Sequence, residues 1–219
     1  MMFKPQVPPE HYFKGYDTKE RWISYWYQIN EVLKTNPKTV LEVGIGNKTV
    51  SDYLKKIGLK VTTVDIDERL KPDYVCSVTE LSKHFEDNSF DTVLCAEVLE
   101  HLPFKYFEKA LKELYKVSKK YVIITLPHFG LDFSLSLKIP ILKQIDIKIK
   151  LPLPIKHRFD GQHYWEIGKK GYSLRKIRKI LKKYYFIERE FCPAENMYHR
   201  FFILKVKKMK RKDENLHIR

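Results

Sequence analysis

No part of the chain carries the roughly 18 consecutive apolar residues that a membrane-crossing helix requires. Its opening Met-Met-Phe-Lys-Pro-Gln-Val-Pro-Pro has no uninterrupted apolar core of the kind found in a secretory signal. A cytoplasmic location is therefore expected. Cysteine is scarce: Cys76, Cys95 and Cys192 give an odd count without CxxC spacing, which argues against a disulfide framework and for buried thiols in a reducing compartment. Acidic residues are outnumbered, 27 against 42 Lys and Arg, and the formal charge is +15. Such an excess admits an anionic partner: RNA, a phosphorylated metabolite or a membrane surface. The lysines are nevertheless spread through nearly every predicted helix, as at Lys55, Lys56, Lys109, Lys112, Lys182 and Lys183, which is how an ordinary solvated face looks.

With 219 residues and 43% apolar content, the chain suffices for one α/β domain with an inserted element. Only eight glycines occur, and two stand one residue apart in Thr39-Val40-Leu41-Glu42-Val43-Gly44-Ile45-Gly46-Asn47. An apolar run ending in an acid, then two glycines, then a helical pattern describes a buried strand turning sharply into a helix beneath a bound nucleoside. Glycine suits such a turn because a Cβ would keep a ligand off the backbone and because the turn favours positive φ. Glu42 falls near the strand's end. Asp65 closes the next apolar run, Val61-Thr62-Thr63-Val64-Asp65, where a carboxylate can accept both hydroxyls of a ribose diol.

The remaining pattern alternates strands and helices. Residues 1–16 are Pro- and aromatic-rich without a period and form an arm. From Asp17, an expected N-cap, to Asn36 the apolar residues recur at helical spacing, predicting a helix across the sheet or over the cofactor mouth. After the glycine turn Val50, Tyr53, Leu54 and Ile57 predict the buried face of a second helix that Gly58 ends. Short apolar runs at 74–76, 92–95 and 121–126 read as the third, fourth and fifth strands, with a weak helix at 81–85. A firmer helix opened by Pro103 is expected to bury Phe107, Leu111, Leu114 and Val117. This alternation predicts a doubly wound, mainly parallel sheet with the ligand crevice at the carboxyl ends of its strands.

The rhythm breaks at Pro127, and residues 127–172 are read as an inserted lid or substrate-binding subdomain within a single domain spanning 1–219. Inside it, Ile145, Ile147, Ile149, Leu151 and Leu153 alternate with polar residues and prolines. The period predicts an amphipathic edge strand or hairpin that caps the crevice, with 145–154 also able to touch a membrane. A helix from Ser173, two final strands around 185–187 and 201–204, and a basic tail containing Lys205, Lys207, Lys208, Lys210, Arg211 and Lys212 complete the chain.

Three segments, in order and at matching spacing, resemble the class I S-adenosylmethionine-dependent methyltransferases, particularly the mostly small-molecule enzymes with a Leu-Glu-His motif. They are Val40-Leu41-Glu42-Val43-Gly44-Ile45-Gly46, then Val64-Asp65, then Phe90-Asp91-Thr92-Val93 running into Glu97-Val98-Leu99-Glu100-His101-Leu102. The resemblance covers about residues 38–127. A nicotinamide enzyme would want glycine at position 49, where Thr49 stands; the methyltransferase pattern often has a third glycine where this chain has Lys48. The resemblance implies a seven-stranded Rossmann-like sheet and S-adenosyl-L-methionine as cofactor. It further implies that Glu42, Gly44 and Gly46 line the methionine end, Asp65 holds the ribose and Ile66 packs on the adenine. Ser77 or Val78 would meet the adenine edge, and Ala96 and Glu97 would face the methionine portion.

Methyl transfer is an in-line displacement at a sulfonium carbon, so the protein must align the nucleophile, exclude water and in some cases take a proton. Candidate bases are Glu100, His101, His128 and His163; Glu100 and His101 precede Pro103 and equally suit a role in orienting the loop. His128 closely follows the fifth strand and is expected at the crevice edge. His157, Arg158, Tyr164 and Glu166 lie in a dense polar and aromatic cluster, expected to bind substrate or to anchor the lid through a glycine turn. No metal site is expected, since His157 and His163 have no cysteine or further histidine nearby in sequence. The expected acceptor is a small molecule or glycan. The alternatives are an RNA acceptor, for which no RNA-binding module is evident, and a cofactor-binding protein without catalysis. Oligomeric state is left unassigned.

Overall fold

In the computed structural model, which describes residues 3–138 and 145–207, β1 (Thr39–Val43) lies between two parallel neighbours, β2 (Lys60–Asp65) and β4 (Phe90–Ala96). Its side chains divide between two cores. Leu41 and Val43 join Val93, Cys95, Val122 and Ile124 on one side, while Val40 joins Leu94, Ile123 and Ile203 on the other. A strand buried on both faces must be apolar throughout, which is why β1 reads as a continuous run rather than an alternation. With β3 (Tyr74–Val75), β5 (Ser118–Pro127), β8 (Tyr185–Phe191) and β9 (His199–Val206), the sheet has the order β3-β2-β1-β4-β5-β9-β8. Only β9 runs against the rest, pairing antiparallel with both β5 and β8. A mainly parallel seven-stranded sheet is thus present, and all three cysteines are buried and unbridged.

Helices cover both faces. α1 (Lys19–Lys34) and α2 (Thr49–Lys56) pack on one, α3 (Phe107–Val117) and α4 (Leu174–Tyr184) on the other. α3 buries Phe107, Ala110, Leu111, Leu114 and Val117, as its spacing predicts. Two expectations need correction. The N-cap of α1 is Thr18, whose hydroxyl accepts from the Arg21 amide at 3.3 Å; Asp17 instead accepts from the Tyr25 hydroxyl and the Asn47 amide. In α2, Val50, Ser51 and Leu54 are buried but Tyr53 and Ile57 are exposed, because this short helix meets the sheet along a narrower stripe than its apolar residues span. The segment 81–85 forms only a 3-10 turn, Leu81–Lys83.

The insertion after β5 divides into two parts with different fates. Its first part is a hairpin of β6 (Leu131–Leu137) and β7 (Ile145–Leu151), in which Leu131 faces Leu151, Phe133 faces Ile149, Leu135 faces Ile147 and Leu137 faces Ile145. All eight of these residues are between 43% and 58% exposed. From the opposite, polar face Lys148 and Lys150 reach the domain, donating to the Cys192 and Met197 carbonyls at 3.1 and 2.7 Å. The second part is pinned to the domain by Trp165, fully buried against Phe104 and Phe107, its Nε1 donating to the Leu102 carbonyl at 3.1 Å. Loss of a buried Trp costs about 3–5 kcal/mol, so this anchor fixes residues 157–166 beside the turn that follows β4. Of the basic tail, Lys208, Lys210, Arg211 and Lys212 lie outside the described residues.

Candidate active site

The turn after β1 bends by alternating left-handed residues. Gly44 has φ +80°, Gly46 φ +49° and Lys48 φ +66°. A Cβ on Gly44 would overlap the Val98 Cγ2, so a substitution at position 44 has to displace the Val98 side chain as well as strain φ. Lys48 carries the same backbone twist with a side chain attached. Its ammonium turns away from the crevice and donates to the Lys71 carbonyl at 2.8 Å, and Lys48 does not line the cavity. The lysine in place of a third glycine therefore keeps the turn's shape and leaves its inner surface open, at a conformational cost of about 1–2 kcal/mol.

Beneath this turn is a cavity of about 410 Å³ at the carboxyl ends of β1, β2, β3 and β4. Glu42, Gly44, Gly46, Asp65, Ile66, Ser77, Val78, Ala96 and Glu97 all line it. Glu42 is buried and its Oε2 has no hydrogen-bond partner; burial pushes its carboxyl up to about 8, with Asp52 adding to the effect and a Ser51 hydrogen bond opposing it. An unpaired acid of this kind is suited to an incoming ammonium group. The Asp65 carboxylate accepts from the Ile45 and Asp67 amides, both at 2.9 Å, which ties the β2 end to the glycine turn. Each carboxylate oxygen keeps a further lone pair for a ligand hydroxyl. Burial holds Asp65 above the usual carboxylate range, with its backbone donors opposing.

The other end of the cavity lies across β1, after β4. Glu97 takes φ +52°, a strained setting for a residue with a side chain, and its Oε2 lies 3.5 Å from His199 Nε2. Glu100 is fully buried with neither carboxylate oxygen partnered; burial, then the charge of Glu97, raises its acid well above the ordinary value. His101 Nδ1 faces the Gln6 Oε1 at 2.7 Å and the Gln162 carbonyl at 3.1 Å, and two acceptors on one nitrogen place the ring proton there. Burial, helped by His163, pushes His101 down to about 4, so its Nε2 is a free lone pair near neutrality. His163 Nδ1 lies 3.2 Å from a Glu166 oxygen that also accepts from the Tyr198 hydroxyl at 3.0 Å.

Of the residues expected to act on the acceptor, His101 and Tyr164 line the cavity; Glu100, His163, His157, Arg158 and Glu166 do not. Glu100 and His163 stand directly behind His101, with the His101 and His163 rings 5.1 Å apart. His163 thus has the histidine neighbour that sequence spacing concealed. His128 is displaced from the crevice edge: it is buried, its Nδ1 accepts from Arg200 Nε at 2.8 Å, and burial with the Arg200 charge lowers it to about 3. Among the described residues, none of β6 or β7 lines the cavity, so these two strands do not cap the crevice as expected; Lys148 and Lys150 are instead bonded to the 192–197 segment. What closes the crevice is the N-terminal arm, through Phe3, Gln6 and Tyr12, with Arg21 and Tyr25 of α1 and with Phe159 and Gln162 of the insertion. The aromatic density of residues 1–16 was the available signal for the arm.

Comparison with known proteins gives these features a context. Residues 41–125 match a family model described as a methyltransferase domain. The chain is 31% identical over 139 residues to a ubiquinone biosynthesis O-methyltransferase of Idiomarina loihiensis, covering 48% of this chain and 57% of that protein. It is 36% identical over 78 residues to the protein of the same name from Xanthomonas euvesicatoria pv. vesicatoria, covering 29% of this chain and 32% of that one. The chain therefore spans about half the length, or less, of these curated relatives. Among solved structures, magnesium protoporphyrin IX methyltransferase from Synechocystis with bound SAM superposes with a TM-score of 0.60 at 14% identity, covering 90% of this chain and 89% of that one. N-methyltransferase NodS from Bradyrhizobium japonicum, in complex with S-adenosyl-L-homocysteine, gives 0.59 at 11% identity, covering 88% and 90%. At these identities the shared feature is the fold.

Proposed function

We propose that the chain is an S-adenosyl-L-methionine-dependent methyltransferase acting on a hydroxyl of a small-molecule or glycan acceptor, a reading supported by the match of residues 41–125 to a methyltransferase-domain model and by the fold shared with solved methyltransferases. The observation that carries this is the unpaired, buried Glu42 Oε2 beside the glycine turn, in one cavity with the spare lone pairs of Asp65. These residues fit the cofactor: Glu42 would accept from the ammonium of its methionine end, Asp65 from its ribose hydroxyls, and Ile66, Ser77 and Val78 would enclose the adenine. When bound, the cofactor supplies a methyl group on a sulfonium sulfur, so its leaving group needs no activation. The names of the two curated relatives support an oxygen acceptor.

The chain's own contribution is positioning, exclusion of water and proton removal. His101 lines the cavity, and Gln6 and the Gln162 carbonyl at its Nδ1 hold the ring in one orientation, so it is set to position the acceptor. Tyr164, stacked on Phe159 at 4.5 Å between ring centres, offers an apolar wall to the acceptor. Calorimetry with S-adenosylmethionine and with nicotinamide dinucleotides tests the cofactor, and release of S-adenosylhomocysteine with candidate hydroxyl acceptors tests turnover. Binding of the dinucleotide alone would end this proposal, and product release with RNA alone would replace its acceptor.

A membrane contact at the hairpin is a further part of this reading, favoured by the outward ladder of four apolar cross-strand pairs. The exposed Lys138, directly after β6, and Lys156, after β7, suit an anionic lipid surface. No helix among the described residues is long and apolar enough to cross a membrane, so the contact would be interfacial. Flotation with anionic but not zwitterionic vesicles is expected; recovery of no protein with either would remove this part.

A further inference from the structure

The geometry points to a divalent transition-metal site formed by Glu100, His101 and His163 behind the acceptor end of the cavity. Each offers one ligand atom, and those atoms lie within 4.8 Å of one another. Ligands in a shell of about 2.0–2.2 Å radius sit roughly 3–3.5 Å apart, so small side-chain rotations bring the three into one shell. A separate observation points to a ligand at this place: Glu100 is fully buried and neither carboxylate oxygen has a hydrogen-bond partner. Glu97, in electrostatic contact with all three residues, adds negative charge. Among the described residues no ion pair joins Arg21, the nearby cation, to Glu100.

The two histidines are prepared as ligands by what holds their other nitrogens. His101 directs Nδ1–H at the Gln6 and Gln162 carbonyl oxygens, leaving Nε2 at 3.9 Å from Glu100 Oε1. His163 directs Nδ1 at Glu166, itself fixed by Tyr198, and this carboxylate–histidine pairing is the arrangement that orients an imidazole toward a metal. A metal at Nε2 displaces any proton there. The other possible grouping, Asp160, His163 and Glu166, is less suited, because an Asp160 oxygen already accepts two backbone amides and Glu166 accepts from Tyr198. Two imidazoles and one carboxylate favour Zn²⁺, Mn²⁺, Fe²⁺ or Co²⁺ over Mg²⁺ and Ca²⁺. Because His101 lines the cavity, open coordination positions would face it and take an oxygen of the acceptor, lowering its pKa before methylation. That last role rests on the methyltransferase proposal; the site itself does not.

The test uses the full chain, stripped with a chelator and titrated calorimetrically with Zn²⁺, Mn²⁺ and Mg²⁺, and with Co²⁺ followed by its visible absorption. One saturable site for Zn²⁺ and Mn²⁺ is expected, with far weaker Mg²⁺ binding. Glu100→Gln or His163→Ala should abolish it, and Glu166→Gln should weaken it by roughly 10-fold through the lost orientation of His163. S-adenosylmethionine affinity, measured on the same samples, should stay unchanged. Should Glu100→Gln fail to fold, His163→Ala at its partly exposed position decides. Absence of saturable binding, indifference to both substitutions, or Mg²⁺ binding as tightly as Zn²⁺ would overturn the proposal. Loss of cofactor binding by the unaltered chain would instead sink the methyltransferase reading and leave the metal site standing.

Discussion

The two ends of the cavity are built on different principles. At the cofactor end, backbone does most of the work: left-handed residues at 44, 46 and 48 shape the turn, and Asp65 ties that turn to β2 through amide hydrogen bonds. At the acceptor end, side chains from the arm, the turn after β4, the insertion and β9 converge: Gln6, Glu97, His101, His163 and His199. Backbone shape is encoded locally and tolerates little; a convergence of side chains is encoded by the whole fold and depends on charge. The two ends meet where Val98 fills the space that a Cβ on Gly44 would need.

Substitutions at the cofactor end should therefore have the larger effects. Gly44→Ala, with its overlap on Val98 and its φ of +80°, is expected to abolish S-adenosylmethionine binding and to destabilise the fold by about 1–3 kcal/mol. Adding Val98→Ala should recover the packing part of the stability but not the backbone part, as thermal melts of the four-member cycle would show. Full recovery would mean that packing alone closes position 44. Asp65→Ala comes next, with a loss in cofactor affinity of about 10- to 100-fold by calorimetry, the worth of one charge-assisted hydrogen bond or slightly more. An unchanged affinity would refute its role at the ribose.

Glu42→Gln sharpens the comparison because it separates stability from binding. The folded carboxyl titrates at about 8 because it is buried, whereas an unfolded one titrates at about 4.3. Between those values the unfolded chain releases a proton that the folded chain keeps, so the stability of the protein falls as pH rises through this window. Glu42→Gln removes that dependence. Its melting temperature should exceed that of the parent by a margin growing from pH 5 to pH 8, on the order of a few degrees, while cofactor affinity drops about tenfold. A margin that shrinks with pH would contradict the assignment. Smallest of all, Lys48→Gly should alter stability by no more than about 0.5 kcal/mol in a denaturant melt, since relief of the left-handed strain offsets a lost hydrogen bond and a more flexible unfolded chain.

What the sequence made legible follows the same division. The run from Val40 to Gly46 and the acid at Asp65 could be read because a strand, its turn and its strand-end acid are consecutive residues, and all nine residues expected around the cofactor do line one cavity. Phe90 and Asp91 belong to the readable part for another reason: Asp91 accepts from the Lys38 and Thr39 amides and so stitches β4 to β1 at the end away from the site. The meeting of His101 with His163 and the seating of Gln6 on His101 could not be read, because neither partner is near the other in the chain. His128 misled because its place after β5 was right and its direction was not: β9 lies beside that strand, and Arg200 holds the ring away from the crevice. The hairpin's period was legible, but period alone does not say which face turns inward.

Lys48 and Lys71 are both left-handed, at φ +66° and +54°, and the ammonium of one is fastened to the carbonyl of the other. The loop after β1 and the loop after β2 are thereby clasped together at their outer edge, while Asp65 joins them at the inner one. Any hinge motion between these loops would have to break one of these two ties, so the part of the cavity they line is braced at both its edges. On the opposite side the arm is held to His101 by one side chain alone, that of Gln6, so parting the arm from His101 breaks no backbone tie.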